Sequence, residues 1–383
     1  MKINLRRVTT GAVLIAAASA FLFCTGFTKA SDHGNHENGY LKSATYYSDD
    51  WVINFWNSES SHMDEELKQI REDGFNSIIL VVPWREFQPS MAPEHYNDYA
   101  WEKFDRVMKA AKAQDLKVML RVGYTWDYYS SENVLARYEK LLYDSETKKA
   151  WLHYAKRLYE KASAYDNFSG GFITWEDFWN FTENAAGYGN GIAGRRMAKL
   201  CGYTDYLKEK YTLEQLKEYY GTSFENYEEI WLPEKDSYAR KLFYEFYDAF
   251  LAELLTETQK VFPDLSMEVR LDIDPVKRPD GTLEGVFHDA TFTCGSSGFT
   301  SAMYSVAMGF ESNGQELSAA QALAGTGQNL DRLSAANGGK KLYVDQFLFT
   351  DNTPGFEQNA KLIGSEKSAY LDGVADIFKA KTL

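Results

Sequence analysis

Aromatic and carboxylate side chains recur together just after the short β-rich runs of this sequence. Trp56 and Asn57 follow the first run, Trp84, Arg85 and Glu86 the second, and Tyr124, Trp126 and Asp127 the third. Trp175, Glu176, Asp177 and Trp179 follow the fourth, and later runs add Asp272, Asp274, Tyr304, Asp345, Gln346 and Asp351. Such a mixture suits a sugar site, because pyranose rings present C–H faces that stack on aromatic rings while carboxylates and amides take the hydroxyls. Core packing is the better explanation of any single Trp; it is the poorer one for five strand ends that carry both residue types.

These residues need elements to hold them. From residue 51 onward, short β-rich runs alternate with longer amphipathic stretches, the signature of βα units around a parallel sheet. The expected strands are 51–56, 77–82, 117–122, 171–175, 267–272, 300–306 and 341–347. Helices are expected at 62–72, 99–114, 133–143, 145–164, 318–336 and 365–380, with a mostly helical excursion over 187–262. The fold class is therefore α/β, a (β/α)8 TIM-type barrel with a helical insertion after strand four, whose site lies at the C-terminal ends of the strands. Seven strands are counted, and the chain stops where an eighth would begin. Either the barrel domain, 49–383, is C-terminally incomplete, or a segment such as 43–47 closes the ring. Alternation in strand five sets Met267, Val269, Leu271 and Ile273 on one face and Glu268, Arg270, Asp272 and Asp274 on the other.

With 383 residues, 44% hydrophobic and 15% aromatic, the chain can bury a large core. A net charge of −14 disfavours nucleic acid or an anionic membrane as a partner and leaves a neutral carbohydrate compatible. No protein partner is evident. Lys2, Arg6 and Arg7 precede an apolar run over 12–23 and the triplet Thr28-Lys29-Ala30, which reads as a signal peptide over 1–30. The mature protein is then secreted or held at the cell surface or in the periplasm; an uncleaved N-terminal anchor is the alternative. Residues 31–48 read as a flexible polar segment, and His33 and His36 within it make a linker rather than a metal site. Cys201 and Cys294 remain after cleavage, and spacing alone does not pair them. There is no GxGxxG opening a helix, no phosphate loop and no HExxH, and Asp272-Ile273-Asp274 lacks the later ligands of a calcium loop, so neither cofactor nor metal is expected.

The run Val82-Pro83-Trp84-Arg85-Glu86-Phe87-Gln88-Pro89, then Tyr96, Trp101 and Asp105, then Leu116-Lys117-Val118, resembles the second and third barrel units of clan A glycoside hydrolases, above all the family 42 β-galactosidases. Tyr206-Leu207-Lys208-Glu209-Lys210-Tyr211, with Leu213 and Tyr220-Gly221-Thr222-Ser223-Phe224, is similar to the segment those enzymes carry after their acid/base strand. The resemblance spans most of 51–347. It implies a β-glycoside hydrolase of retaining mechanism, with an acid/base at the end of strand four and a nucleophile at the end of strand seven. Glu176 matches the first position, although Trp175 stands where the clan places Asn. Tyr304 matches the position that hydrogen-bonds the nucleophile.

Strand seven departs from the pattern, because Gln346 stands where a Glu is expected and an amide cannot form a glycosyl ester. Three alternatives stay open. Asp345 is the nucleophile, turned inward by alternation with Leu342 and Val344. Alternatively, Asp272 or Asp274 activates water across a gap of about 6.5–9.5 Å. In the third, a substrate N-acetyl group attacks while Asp177 or Gln346 orients it. Arg121 and Arg270, on inward faces, would hold carboxylates ionised or pair with them structurally. Loss of the nucleophile altogether would leave a non-catalytic glycan-binding barrel.

Overall fold

The run Ser-Ile-Ile-Leu-Val-Val over 77–82 has no polar face to leave in water, so it must lie where both sides are covered. All six residues are buried. They form the second strand of a seven-stranded sheet whose order is the order of the chain: β1 (Ser43–Thr45), β2 (Ser77–Val82), β3 (Lys117–Val122), β4 (Phe168–Ile173), β5 (Ser266–Glu268), β6 (Phe299–Met303) and β7 (Leu342–Phe347). Every neighbouring pair is parallel. The computed structural model describes residues 40–123, 140–141, 144–174, 179–263, 265–269, 273–287, 298–303, 306–307, 312–348 and 357–381.

Helices return the chain from one strand to the next. They are α1 (Met63–Glu72), α2 (Asp98–Ala113), α3 (Ser145–Ala162), α4 (Trp179–Ala186), α5 (Ile192–Leu200), α6 (Tyr203–Lys210), α7 (Leu213–Tyr220), α8 (Arg240–Gln259), α9 (Ala319–Ala336) and α10 (Lys367–Lys381). Their starts are written locally: Asn97 and Asp144 cap α2 and α3 through their side chains, and Thr212–Gln215 and Ser318–Gln321 form capping boxes at α7 and α9. Strand alternation then divides the side chains. Ile78, Leu80, Val82, Val118, Leu120 and Val122 enter the large core under the helices, whereas Ile79, Met119, Phe172 and Tyr343 meet on the opposite, inner face.

Three expectations are corrected. Residues 51–56 are not a strand; Asn54–Asn57 form a 3-10 turn, because Phe55 and Trp56, adjacent in sequence, are both buried in the same core, which an alternating strand forbids. The first strand is Ser43–Thr45, so residues 40–48 are not a flexible segment: Asn76 ties them down through Lys42 N at 2.8 Å and Tyr40 O at 2.9 Å. Finally, Asp274 is not at a strand tip. It lies in an antiparallel hairpin, Ile273–Lys277 with Leu283–Phe287, turned by Asp280 and Gly281 (φ +88°).

Between β1 and β7 no backbone ladder is found among the described residues; their side chains meet, the Ser43 hydroxyl bonding both Ser77 and the Tyr343 hydroxyl. Burial pushes the Tyr343 hydroxyl up to about 12, and the charge of Asp345 acts in the same direction. Tyr96, Tyr165 and Tyr206 are likewise pushed up to about 12, first by burial. A tyrosine whose folded value exceeds the unfolded value of about 10 contributes stability that is complete below about pH 10 and lost as pH rises through about 12. Circular dichroism at increasing pH should therefore show stability falling across that window, and Tyr343→Phe should soften the fall.

Gly123, just beyond β3, has φ +82°, and a Cβ there would lie 2.4 Å from the Trp151 ring. That ring is fully buried and anchored by its Nε1–H to Thr258 Oγ1 at 2.8 Å, so it has nowhere to go. Gly123→Ala should destabilise the fold by at least about 1–3 kcal/mol, read from the urea midpoint.

Candidate active site

The inner face of the sheet holds a hollow of about 220 Å³. Thr45 and Tyr47 enter it from the first strand and its extension, Ile79 and Val81 from β2, Arg121 from β3, Phe172 from β4, and Asp345 with Gln346 from β7. Trp51 and Val52 close one side. The volume lies below the about 300–1,000 Å³ of sites for larger ligands and suits a single ring.

Arg121 is inward because Leu120 and Val122 on either side belong to the outer core, and it is only 8% exposed. Its Nη2 donates to Thr174 Oγ1 at 3.3 Å, which ties β3 to the end of β4. At β7 the register passes from Ser301↔Val344 to Ala302↔Gln346, so Asp345 is the extra residue of a β-bulge. The bulge changes which side chains share a face. Leu342 and Val344 pack toward the helices, Tyr343 points inward, and then Asp345 and Gln346 both line the hollow. Phe347 is thereby returned to the helix side, with its ring 5.2 Å from Phe378 and 6.3 Å from Tyr370. Asp345 is 5% exposed and lines the hollow beside Gln346.

Other expected site residues are placed differently. Trp56 and Trp84 are corrected from sugar platforms to core residues, since each is 0% exposed. Trp56 donates to Val81 O at 2.9 Å and its ring lies 4.5 Å from Phe87; Trp84 packs 5.3 Å from Trp151 and bonds Gln88. The residues after β2 form a helical turn, which rotates Trp84 under the helices while Arg85 and Glu86 reach a separate pocket. Trp126, Trp175, Glu176, Asp177, Arg270, Asp272 and Tyr304 lie outside the described residues, as does the side chain of Trp179.

Two residues of the hollow, Tyr47 and Trp51, are not among the expected site residues. Tyr47 and Trp51 form an edge-to-face pair at 6.3 Å on the rim, where Trp51 is 41% exposed. For Tyr47 the signal is the period-two series Ser43, Thr45, Tyr47 in the segment 43–47, the alternative ring-closing strand. Glu268 takes the inner face of β5, opposite Met267 in the outer core as the alternation predicts, and is 2% exposed. Among the described residues no group of three or more His, Cys, Asp or Glu side chains could hold a metal ion.

No protein-family model matches the sequence, and no curated protein matches it. Solved structures do. An exo-β-1,4-mannosidase from Opitutaceae bacterium strain TAV5 is similar at a TM-score of 0.50 and 10% identity, over 90% of this chain and 53% of that one, so this chain spans about half its length. The catalytic domain of β-amylase from Paenibacillus polymyxa is similar at a TM-score of 0.51 and 14% identity, over 89% of this chain and 97% of that one. Both neighbours are TIM-barrel glycoside hydrolases, and this chain shares with them an α/β fold built on a parallel sheet.

Proposed function

We propose that this chain is an exported glycoside hydrolase of the clan A type that cleaves a β-linked oligo- or polysaccharide. The observation that carries it is the inner hollow, where a buried carboxylate, Asp345, and its neighbour Gln346 share one face with Arg121, under the exposed ring of Trp51. That combination can hold a sugar ring by stacking and attack its anomeric carbon from below.

Glu176 is the proposed acid/base. It follows the run that becomes β4, the position at which the resemblance to clan A glycoside hydrolases expects that role. In the reaction Glu176 gives its proton to the leaving oxygen while Asp345 bonds the anomeric carbon as the C–O bond breaks. Water then attacks that carbon, loses its proton to Glu176 and frees Asp345. Arg121 favours the charged form of carboxylates on the inner face. The remaining site residues, Trp126, Trp175, Asp177, Trp179, Arg270, Asp272 and Tyr304, are proposed contacts to substrate or nucleophile.

The second reading is a glycan-binding barrel without turnover, and Gln346 in the position of the expected nucleophile favours it. Reducing-end release from a panel of β-linked oligosaccharides, alongside calorimetry, separates the two. Turnover supports the hydrolase; tight binding with no product supports the binding barrel, and neither binding nor product overturns both.

A further inference from the structure

Beside the hollow lies a second pocket of about 300 Å³, lined chiefly by Asn54, Asn57, Arg85, Glu86 and Asn97. We infer that it is a further sugar subsite, and that the substrate is an oligosaccharide long enough to cross the loop 51–57 into it. This rests on the glycan reading above and extends it to chain length. One loop contributes to both cavities: Trp51 and Val52 line the first, and Ile53, Asn54 and Asn57 the second.

The lining chooses the ligand class. Three carboxamides, a guanidinium and a carboxylate present paired donors and acceptors, the complement of vicinal hydroxyls. An apolar ligand would meet only Ile53 and Pro89 as apolar lining, and a phosphate would meet Glu86 and a chain of net charge −14. The groups are held ready. Asn57 Nδ2 donates to the Glu86 carboxylate, and Asn97 Nδ2 donates to Asn57 Oδ1 at 3.2 Å and to Glu86 O at 3.0 Å.

The loop itself is fastened from beneath by a fully buried lysine. Lys103 donates to the carbonyls of Phe55 and of Ser58, the latter at 2.8 Å, and Tyr99 OH also donates to Ser58 O at 2.8 Å. Burying an ammonium is expensive, and a loop that had only to connect β1 to α1 would need no such anchor. A loop that contributes to both subsites does, because lost order in it would be charged against binding.

The test is a ladder of β-linked gluco-, manno-, galacto- and xylo-oligosaccharides from two to five units, turned over by the full chain. The ratio of kcat/KM for the longer to the shorter member should rise about tenfold or more at the unit that reaches the pocket, and collapse toward one in Asn57→Ala and Glu86→Gln. Asn57 is exposed, so its truncation leaves the fold intact. A rate independent of length, or a length dependence that both variants keep, overturns the subsite and leaves the hydrolase reading standing. Absence of turnover on every ladder overturns the hydrolase reading instead. Calorimetry on the same ladders then decides the subsite: affinity that grows with length and is lost in Asn57→Ala supports it, and affinity indifferent to either overturns it.

Discussion

Glu176→Gln should lower kcat/KM on a cleaved β-linked oligosaccharide by about 10²–10⁴-fold, the usual worth of a positioned general acid. The amide keeps the shape of the side chain and removes only the proton it donates and the base it becomes. Asp345→Asn should cost at least as much, because an amide cannot form the glycosyl ester. The double variant should fall little further than the worse single one, since the two carboxylates act as a unit. Gln346→Glu separates the two readings of the site. A chain that uses Asp345 gains nothing from it, whereas one that has merely lost its nucleophile recovers turnover. Equal rates for wild type and Glu176→Gln would remove Glu176 from the mechanism.

Trp56→Ala should destabilise the protein by about 3–5 kcal/mol, measured as a drop in the urea midpoint. The indole is fully buried against Phe87 and Phe104, and its Nε1–H satisfies Val81 O, a carbonyl on the strand beside the hollow. Removing it opens a cavity and orphans an acceptor at once. Trp51→Ala should do the reverse. Its ring is exposed on the rim, so stability should move by no more than about 0.5 kcal/mol while oligosaccharide affinity, followed by calorimetry, falls. If Trp56→Ala left the midpoint in place and weakened sugar binding alone, the placement of these two indoles would have to be exchanged.

These two tryptophans, five residues apart, mark the boundary of what could be read in advance. Residue type and neighbourhood are the same for both, and a sugar platform was expected of Trp56. What separates them is the 3-10 turn over Asn54–Asn57, which carries Phe55 and Trp56 under α2 and leaves Trp51 at the rim. That turn is set by packing against Phe87, Phe104 and the Lys103 ammonium, residues 30 to 50 positions away that local patterning cannot report.

Other elements were legible because their determinants are local. The expected strands 77–82 and 117–122 and the expected helix 318–336 coincide with β2, β3 and α9 to within a residue or two. The Pro-Asp-Gly turn of the hairpin over 273–287 is equally local.

Sequence by itself determined that βα units would wrap a parallel sheet, because apolar periodicity and helix caps act within a few residues of one another. It also determined which residue types stand near the strand ends. Tertiary structure alone decided which of them share the hollow. Asp345 and Glu268 face inward by alternation alone, but the slip between β6 and β7 that brings Gln346 inward beside Asp345 depends on the register of neighbouring strands. A register is a relation between distant segments, chosen by the packing of two faces at once, and no single stretch of chain carries it.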